Sequence, residues 1–186
     1  MQIHGHGTGK QAGVTVLELM VTLAIAAVLL ATGLPSYQQY SQRQRMKAAL
    51  GALHNDLLAG RIDAVYRNSS VLACPGNPEL GCSGANDWNV GWIVFRDPNR
   101  DGLRQPEEAL LRHGQAVEQI YIFSAKSRSE IRFFPDGSAP GSNGSISLCG
   151  LGGPQNAKKL VISNIGRIRR DEYPGIDPAF CPAGGL

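Results

Sequence analysis

Residues 14–34 read VTVLELMVTLAIAAVLLATGL, an apolar run whose one charged side chain is Glu18. At about 1.5 Å of rise per residue, a helix of this length spans the roughly 30 Å hydrocarbon core of a bilayer. A polar segment, residues 1–13, precedes the run and ends with Gly13. In an ordinary secretory signal the small cleavage-site residues follow the apolar stretch. Here the small residue comes first, so cleavage after Gly13 leaves the helix on the mature protein and makes Val14 its first residue.

Glu18 needs a chemical reason, because a carboxylate in hydrocarbon is costly unless it is paired or protonated. After cleavage, the new α-amino group of Val14 lies about one helical turn from this position. In a filament, the amine of a neighbouring subunit would neutralise Glu18 and set the axial register. The alternative is an acid that is tolerated near the membrane interface.

The motif Gly13-Val-Thr-Val-Leu-Glu18, followed by an unbroken apolar run, resembles the prepilin peptidase site of type IV pilins and type II secretion pseudopilins. Pro35 falls where these proteins often carry a helix-kinking proline, whereas Val14 departs from their usual Phe. The resemblance implies cleavage of a leader by prepilin peptidase, N-methylation of the new N-terminus and a single-pass anchor in the inner membrane. It further implies a globular domain in the periplasm, other pilin subunits as partners and a cell-surface pilus as destination.

The helix is expected to continue as an amphipathic segment over residues 35–67. Apolar residues recur there at three- and four-residue steps, which gives one face that should pack on a sheet. They are Met46, Leu50, Leu53, Leu57, Leu58, Ile62 and Val65. Four cations, Arg43, Arg45, Lys47 and Arg61, lie largely off this face. We expect the basic residues just beyond the membrane helix to meet lipid headgroups, and a nucleic-acid role is the alternative.

Residues 68–186 should form a β-rich domain with an irregular C-terminal tail, because short apolar runs alternate there with Gly, Pro, Asn and Asp turn signals. The predicted strands are 70–74, 88–96, 109–113, 119–123, 130–134, 145–149, 160–163 and 166–170. A long helix followed only by strands indicates an α+β fold, with the helix on one face of an antiparallel sheet. The segments from Trp92 to Leu111 and from Ile131 to Gly137 resemble the hairpins of the GspH/FimT group of minor pilins.

The four cysteines are Cys74, Cys82, Cys149 and Cys181, and none forms a C-x-x-C pair. An even number in an exported domain predicts two disulfides rather than a zinc site. Of the three possible pairings, Cys74–Cys82 with Cys149–Cys181 is favoured, because it closes a short Pro- and Gly-rich loop and fastens the tail. Four free thiols are the alternative.

Residues 97–108 match the spacing of a calcium-binding loop, with oxygen side chains at Asp97, Asn99, Asp101 and Glu108 around a turn glycine. The flanking segments read as strands instead of helices, and Arg104 stands where such loops carry an apolar residue. Asp, Asn and Gly are also the residues that a hairpin turn favours. The sequence therefore predicts a hairpin here, and no metal.

A basic segment near the C-terminus reads LVISNIGRIRR over residues 160–170 and follows Lys158 and Lys159. In a strand, Arg167 and Arg169 would point to one face and Ile168 to the other. Guanidinium groups bind phosphate bidentately and stay charged at physiological pH. The net charge of +3 is too small for a global argument about nucleic acid, so the prediction depends on this cluster.

Gly166-Arg167-Ile168-Arg169-Arg170 resembles the GRxRR motif of FimT-type minor pilins, which are implicated in capturing DNA for natural transformation. The resemblance implies that Arg167, Arg169 and Arg170 bind double-stranded DNA, with Lys158 and Lys159 nearby. One alternative is a solvated edge strand whose basic residues discourage edge pairing. The corresponding functional alternative is a structural minor pilin or secretion pseudopilin that primes or caps a filament without binding DNA.

The sequence contains no triad spacing, phosphate loop or metal-helix motif, so neither catalysis nor a cofactor is predicted.

Overall fold

The structure, a computed structural model, describes residues 13–150, 157–171 and 181. The predicted leader before Gly13 and most of the predicted irregular tail lie outside the described residues. The described elements are α1 Val16–Arg67, β1 Val71–Asn77, β2 Gly81–Cys82, β3 Trp92–Arg96, β4 Leu110–Gly114, β5 Ile120–Ser124, β6 Ile131–Phe133, β7 Gly144–Gly150, β8 Lys158–Ile162 and β9 Ile168–Asp171.

The strands form two sheets, and all strand pairs between the described strands are antiparallel. The first sheet has the order β2-β1-β3-β4, and β6 also pairs with β1. The second sheet has the order β5-β7-β8-β9. The predicted α+β fold, a long N-terminal helix on antiparallel sheet, is confirmed.

The chain divides into two compact units, residues 1–39 and 40–186. In the first unit, the hydroxyl of Thr15 accepts a hydrogen bond from the Glu18 N–H at 3.2 Å, so Thr15 caps the start of α1. This part of α1 contains one stretch that is long and apolar enough to cross a membrane, and its side chains are exposed. Its length and composition agree with the predicted anchor.

In the second unit, the apolar face of α1 differs from the predicted one. The buried residues are Met46, Ala49, Leu50, Leu53, Leu57, Gly60 and Ala64. Leu58, Ile62 and Val65 were expected to pack on the sheet but are 37%, 59% and 51% exposed. The reason is close approach: a Cβ on Gly60 would lie 2.7 Å from Cγ1 of Val94, so the helix meets the sheet through small residues.

Each of the eight predicted strands has a counterpart in the structure, but the later start of two of them has consequences for Trp88 and Arg167. Predicted strand 88–96 begins only at Trp92, and Trp88 instead lies buried with its indole N–H donating to Oγ of Ser124 at 3.1 Å. Predicted strand 166–170 begins at Ile168, so Gly166 and Arg167 belong to the preceding turn. The two-residue strand β2 was not predicted.

Both disulfides have the pairing that the sequence favours. Cys74 is bonded to Cys82, which holds β2 beside β1, and the Cα atoms are 5.6 Å apart. Cys149 of β7 is bonded to Cys181 at the same Cα separation. Cys149 and Cys181 are buried with Ala157, so the second disulfide attaches Cys181 to the second sheet.

Candidate nucleic-acid interface

The predicted basic cluster lies on the β8–β9 hairpin, and β9 is the last strand of the second sheet among the described residues. The register pairs Leu160 with Arg170 and Ile162 with Ile168. Directly paired residues of an antiparallel ladder point to the same face. Leu160 and Ile162 are buried in the core under α1, so Arg170 also points to the helix side of the sheet.

A contact with α1 fixes the position of Arg170. Its Nη2 lies 3.3 Å from Nδ1 of His54. Arg169 pairs with Val161 and therefore faces away from the helix. The cluster that the sequence presents as one group is thus divided between the two sides of a terminal strand.

Arg167 is positioned by the turn that joins the two strands. Its N–H donates to Oγ of Ser163 at 3.1 Å, and its carbonyl accepts the Ser163 N–H at 3.0 Å. Gly166 adopts a φ of 74°, a left-handed conformation that suits glycine, and donates to the Ser163 carbonyl at 2.8 Å. The backbone around Arg167 is therefore fixed although the residue precedes the strand.

Arg61 of α1 holds this turn against the loop between β6 and β7. Its Nε donates to the carbonyl of Gly137 at 2.8 Å and its Nη2 to the carbonyl of Ile165 at 3.4 Å. Sequence reasoning treated Arg61 only as a cation off the apolar face and missed this role. The glycines at 137 and 166 were the available signal, since both stand where backbones must approach closely.

The side chains of Arg167 and Arg169 are exposed and have no hydrogen-bond or ion-pair partner within the described part of the chain. Lys159 differs, since its Nζ lies 4.0 Å from Oδ2 of Asp171 and its side chain is only 22% exposed. Lys158 is half-buried at the start of β8. Arg167 and Arg169 are accordingly the exposed charges of the predicted set that have no partner among the described residues.

The loop with calcium-like spacing is built around an ion pair. Asp97 is fully buried, pairs with Arg132, and accepts the N–H of Gly102 at 3.1 Å.

The other candidate ligands of this loop also have partners within the protein. Burial raises the pKa of Glu108, whose Oε2 accepts the Gln105 N–H at 3.1 Å. Asn99 Nδ2 donates to Asp101 at 3.0 Å, and the N–H of Leu103 lowers the pKa of Asp101. Across the described ranges, no three His, Cys, Asp or Glu side chains are grouped so as to hold a metal ion.

The predicted processing residues lie at the start of α1. Gly13 and Val14 precede the helix and are exposed, and Glu18 is in its first turn, also exposed. These residues belong to the first unit, whereas the basic hairpin belongs to the second. The predicted partner of Glu18 is an amine on another subunit, so this pairing stays a prediction.

Two family models match this sequence. One, described as type II transport protein GspH, matches residues 49–166, and the other, the prokaryotic N-terminal methylation motif, matches residues 8–34.

Solved structures share the fold. The type IV minor pilin FimU of Pseudomonas aeruginosa is 18% identical with a TM-score of 0.56, over 76% of this chain and 98% of that one. The minor pseudopilin EpsH from the type 2 secretion system of Vibrio cholerae is 11% identical with a TM-score of 0.50, over 71% of this chain and 99% of that one.

Proposed function

This chain belongs to the GspH family of minor pilins and pseudopilins, and from that premise we propose that it is a FimT-type minor pilin that binds double-stranded DNA non-specifically for natural transformation. The observation that carries the proposal is the pair Arg167 and Arg169, two exposed guanidinium groups that have no partner among the described residues and lie at the end of a sheet. A short fixed turn and a two-residue spacing hold them at a defined separation.

The chemistry of this pair suits a phosphate backbone. Each guanidinium can bind a phosphate through two parallel hydrogen bonds. With Arg170 as a third contact, the logarithm of the binding constant should fall with the logarithm of salt concentration with a slope of about −2 to −3. Such weak binding becomes effective when several copies lie on one filament.

The N-terminal segment supplies the route to the cell surface. In this proposal prepilin peptidase cleaves after Gly13, Val14 is N-methylated, and the apolar part of α1 anchors the chain in the inner membrane with the β-rich domain in the periplasm. On assembly with other pilin subunits, Glu18 pairs with the N-terminal amine of a neighbour. The pilus then presents the β8–β9 hairpin to DNA outside the cell.

The test uses the full-length protein in non-ionic detergent and the anisotropy of a short labelled DNA duplex of mixed sequence. Replacing Arg167 and Arg169 with Gln should abolish binding between about 50 and 200 mM salt. The control, Arg45→Gln with Arg112→Gln, removes the same charge elsewhere on the domain and should bind nearly as the unmodified protein does. Equal affinities of the two double variants would reject the assignment of Arg167 and Arg169.

A structural subunit without DNA binding is the second candidate, because the fold is also that of a secretion pseudopilin. Such a subunit would prime or cap a filament and bind only protein. It is favoured if the unmodified protein fails to bind the duplex even at the lowest salt concentration. The GspH family consists of structural minor pilins and pseudopilins, and the lack of catalysis stays a prediction.

A further inference from the structure

We infer that the DNA-binding surface extends beyond β9 onto α1. Lys47 and Arg43 of α1 form one side of a groove, and β9 with Arg170 forms the other side. This inference rests on the proposed function, and it names residues outside the basic hairpin. It begins from the orientation of Arg170, which is turned toward the helix and away from Arg169.

Two contacts show which face of α1 lies beside the hairpin. Arg61 reaches the carbonyl of Ile165 in the β8–β9 turn, and His54 contacts Arg170 at the far end of β9. His54 and Arg61 are seven residues apart, which is about two helical turns, so they share one face of the helix. The order of the contacts also shows that β9 runs antiparallel to α1.

The same face continues toward the N-terminal end of this unit. Lys47 precedes His54 by seven residues and lies about 10.5 Å further along the helix at nearly the same angle, and Arg43 is one more turn away. Both side chains are exposed and have no partner within the residues that the structure describes. Arg45, which lies between them in sequence, turns elsewhere and donates to Oε1 of Gln119 at 2.9 Å.

The acidic residues of α1 in this unit are kept away from that face. They are Asp56 and Asp63, and both contact residues of the first sheet. Asp56 accepts the indole N–H of Trp92 at 2.9 Å, and Asp63 pairs with Arg96 at 2.7 Å. The helix therefore presents cations toward β9 and carboxylates toward the opposite side. A polyanion approaching β9 meets no carboxylate from this part of α1.

Within the described part of the chain, the helix surface between Lys47 and His54 is also open. Gly51 lies there, and a Cβ at this position would have no described atom outside the neighbouring helix backbone within 4 Å. About 10.5 Å along the helix corresponds to roughly three phosphates of one DNA strand, at 3.4 Å of axial rise each. One DNA strand can therefore follow the groove past Arg170 and Lys47 to Arg43, and Arg169, on the other face of β9, contacts the duplex outside this groove.

The test compares Arg43→Gln with Lys47→Gln against the charge-matched control Arg45→Gln with Arg112→Gln, in the full-length protein in non-ionic detergent. Anisotropy of the labelled duplex at several salt concentrations gives affinity and salt slope. Loss of two phosphate contacts should reduce the magnitude of the slope by about 1.8 and weaken binding several-fold, and the control should change neither. A charge-conserving variant, Arg43→Lys with Lys47→Arg, should bind as the unmodified protein does.

The outcomes separate this inference from the function on which it rests. If the Arg167→Gln, Arg169→Gln variant loses binding but the Arg43, Lys47 variant matches its control, the groove is overturned and the proposed function stands. If the unmodified protein does not bind the duplex, both are overturned. Unfolding followed by the fluorescence of the buried Trp88 and Trp92 should be unchanged by these exposed substitutions.

Discussion

Gly166 lies against Gly137 so closely that a Cβ added at position 166 would come within 1.9 Å of the Gly137 carbonyl oxygen and 2.8 Å of Nε of Arg61. The first residue of the basic motif is thus a docking point between the β8–β9 turn and the β6–β7 loop. The backbone conformation of Gly166 and its close contact with Gly137 can be tested separately.

The substitution Gly166→Ala should destabilise the domain by more than the left-handed conformation alone explains. Gly141 is the matched control, because its φ is 77° against 74° for Gly166 and its Cβ would meet nothing within 4 Å. Gly141→Ala should cost about 1–2 kcal/mol of unfolding free energy from backbone strain, and Gly166→Ala should cost clearly more. Urea unfolding monitored by tryptophan fluorescence measures both, and equal losses would contradict the docking role.

Arg61→Lys should weaken DNA binding although it conserves charge. Lysine lacks the planar fork, so one ammonium cannot reproduce the bonds to both Gly137 and Ile165. We expect a loss of about 1–2 kcal/mol in unfolding free energy and a several-fold lower affinity from a loosened turn. Arg112→Lys, an exposed charge-conserving exchange, is the control. If Arg61→Lys binds DNA as tightly as the unmodified protein, the turn does not need this anchor.

The sequence predicted elements whose signal is local. The apolar run 14–34, the strands and their turn residues could be assigned because each depends on neighbouring residues. The buried face of α1 could not, since the choice between Val65 and Ala64 depends on how closely the sheet approaches. A contact through Gly60 and Ala64 is a property of the tertiary fold, and side-chain size alone predicts the wrong buried face of the helix.

The candidate site likewise combines features that the sequence predicts with features that depend on the tertiary fold. The motif at residues 166–170 identified the three arginines, but it could not show that Arg170 turns toward His54 while Arg169 turns away. That division depends on which face of β9 the core covers, and hence on the register with Leu160. The residues around Arg61 do not indicate its role for the same reason, because its partners lie 76 and 104 positions away.

Two glycines of α1 should respond to alanine in opposite directions. A Cβ at Gly51 enters open space, so Gly51→Ala should stabilise the domain by about 0.5–1 kcal/mol through helix propensity. A Cβ at Gly60 would lie 2.7 Å from Cγ1 of Val94 and 3.2 Å from Cγ1 of Val71, so Gly60→Ala should destabilise by about 1–3 kcal/mol. Urea unfolding measures both, and a stabilising Gly60→Ala would show that the helix does not pack this tightly.

Asp63 should make the domain less stable in acid. The hydrogen bonds from Arg96 hold the pKa of Asp63 below its ordinary value, although burial opposes them. The unfolded chain therefore binds the proton first, and the contribution of the pair is full above about pH 4 and is lost as pH falls through the lowered pKa. Asp63→Asn should reduce stability at pH 7 and weaken its decline toward pH 3, whereas the exposed Glu107→Gln should do neither. Tryptophan-monitored urea unfolding at both pH values measures this, and an undiminished acid dependence in Asp63→Asn would assign that dependence to other carboxylates.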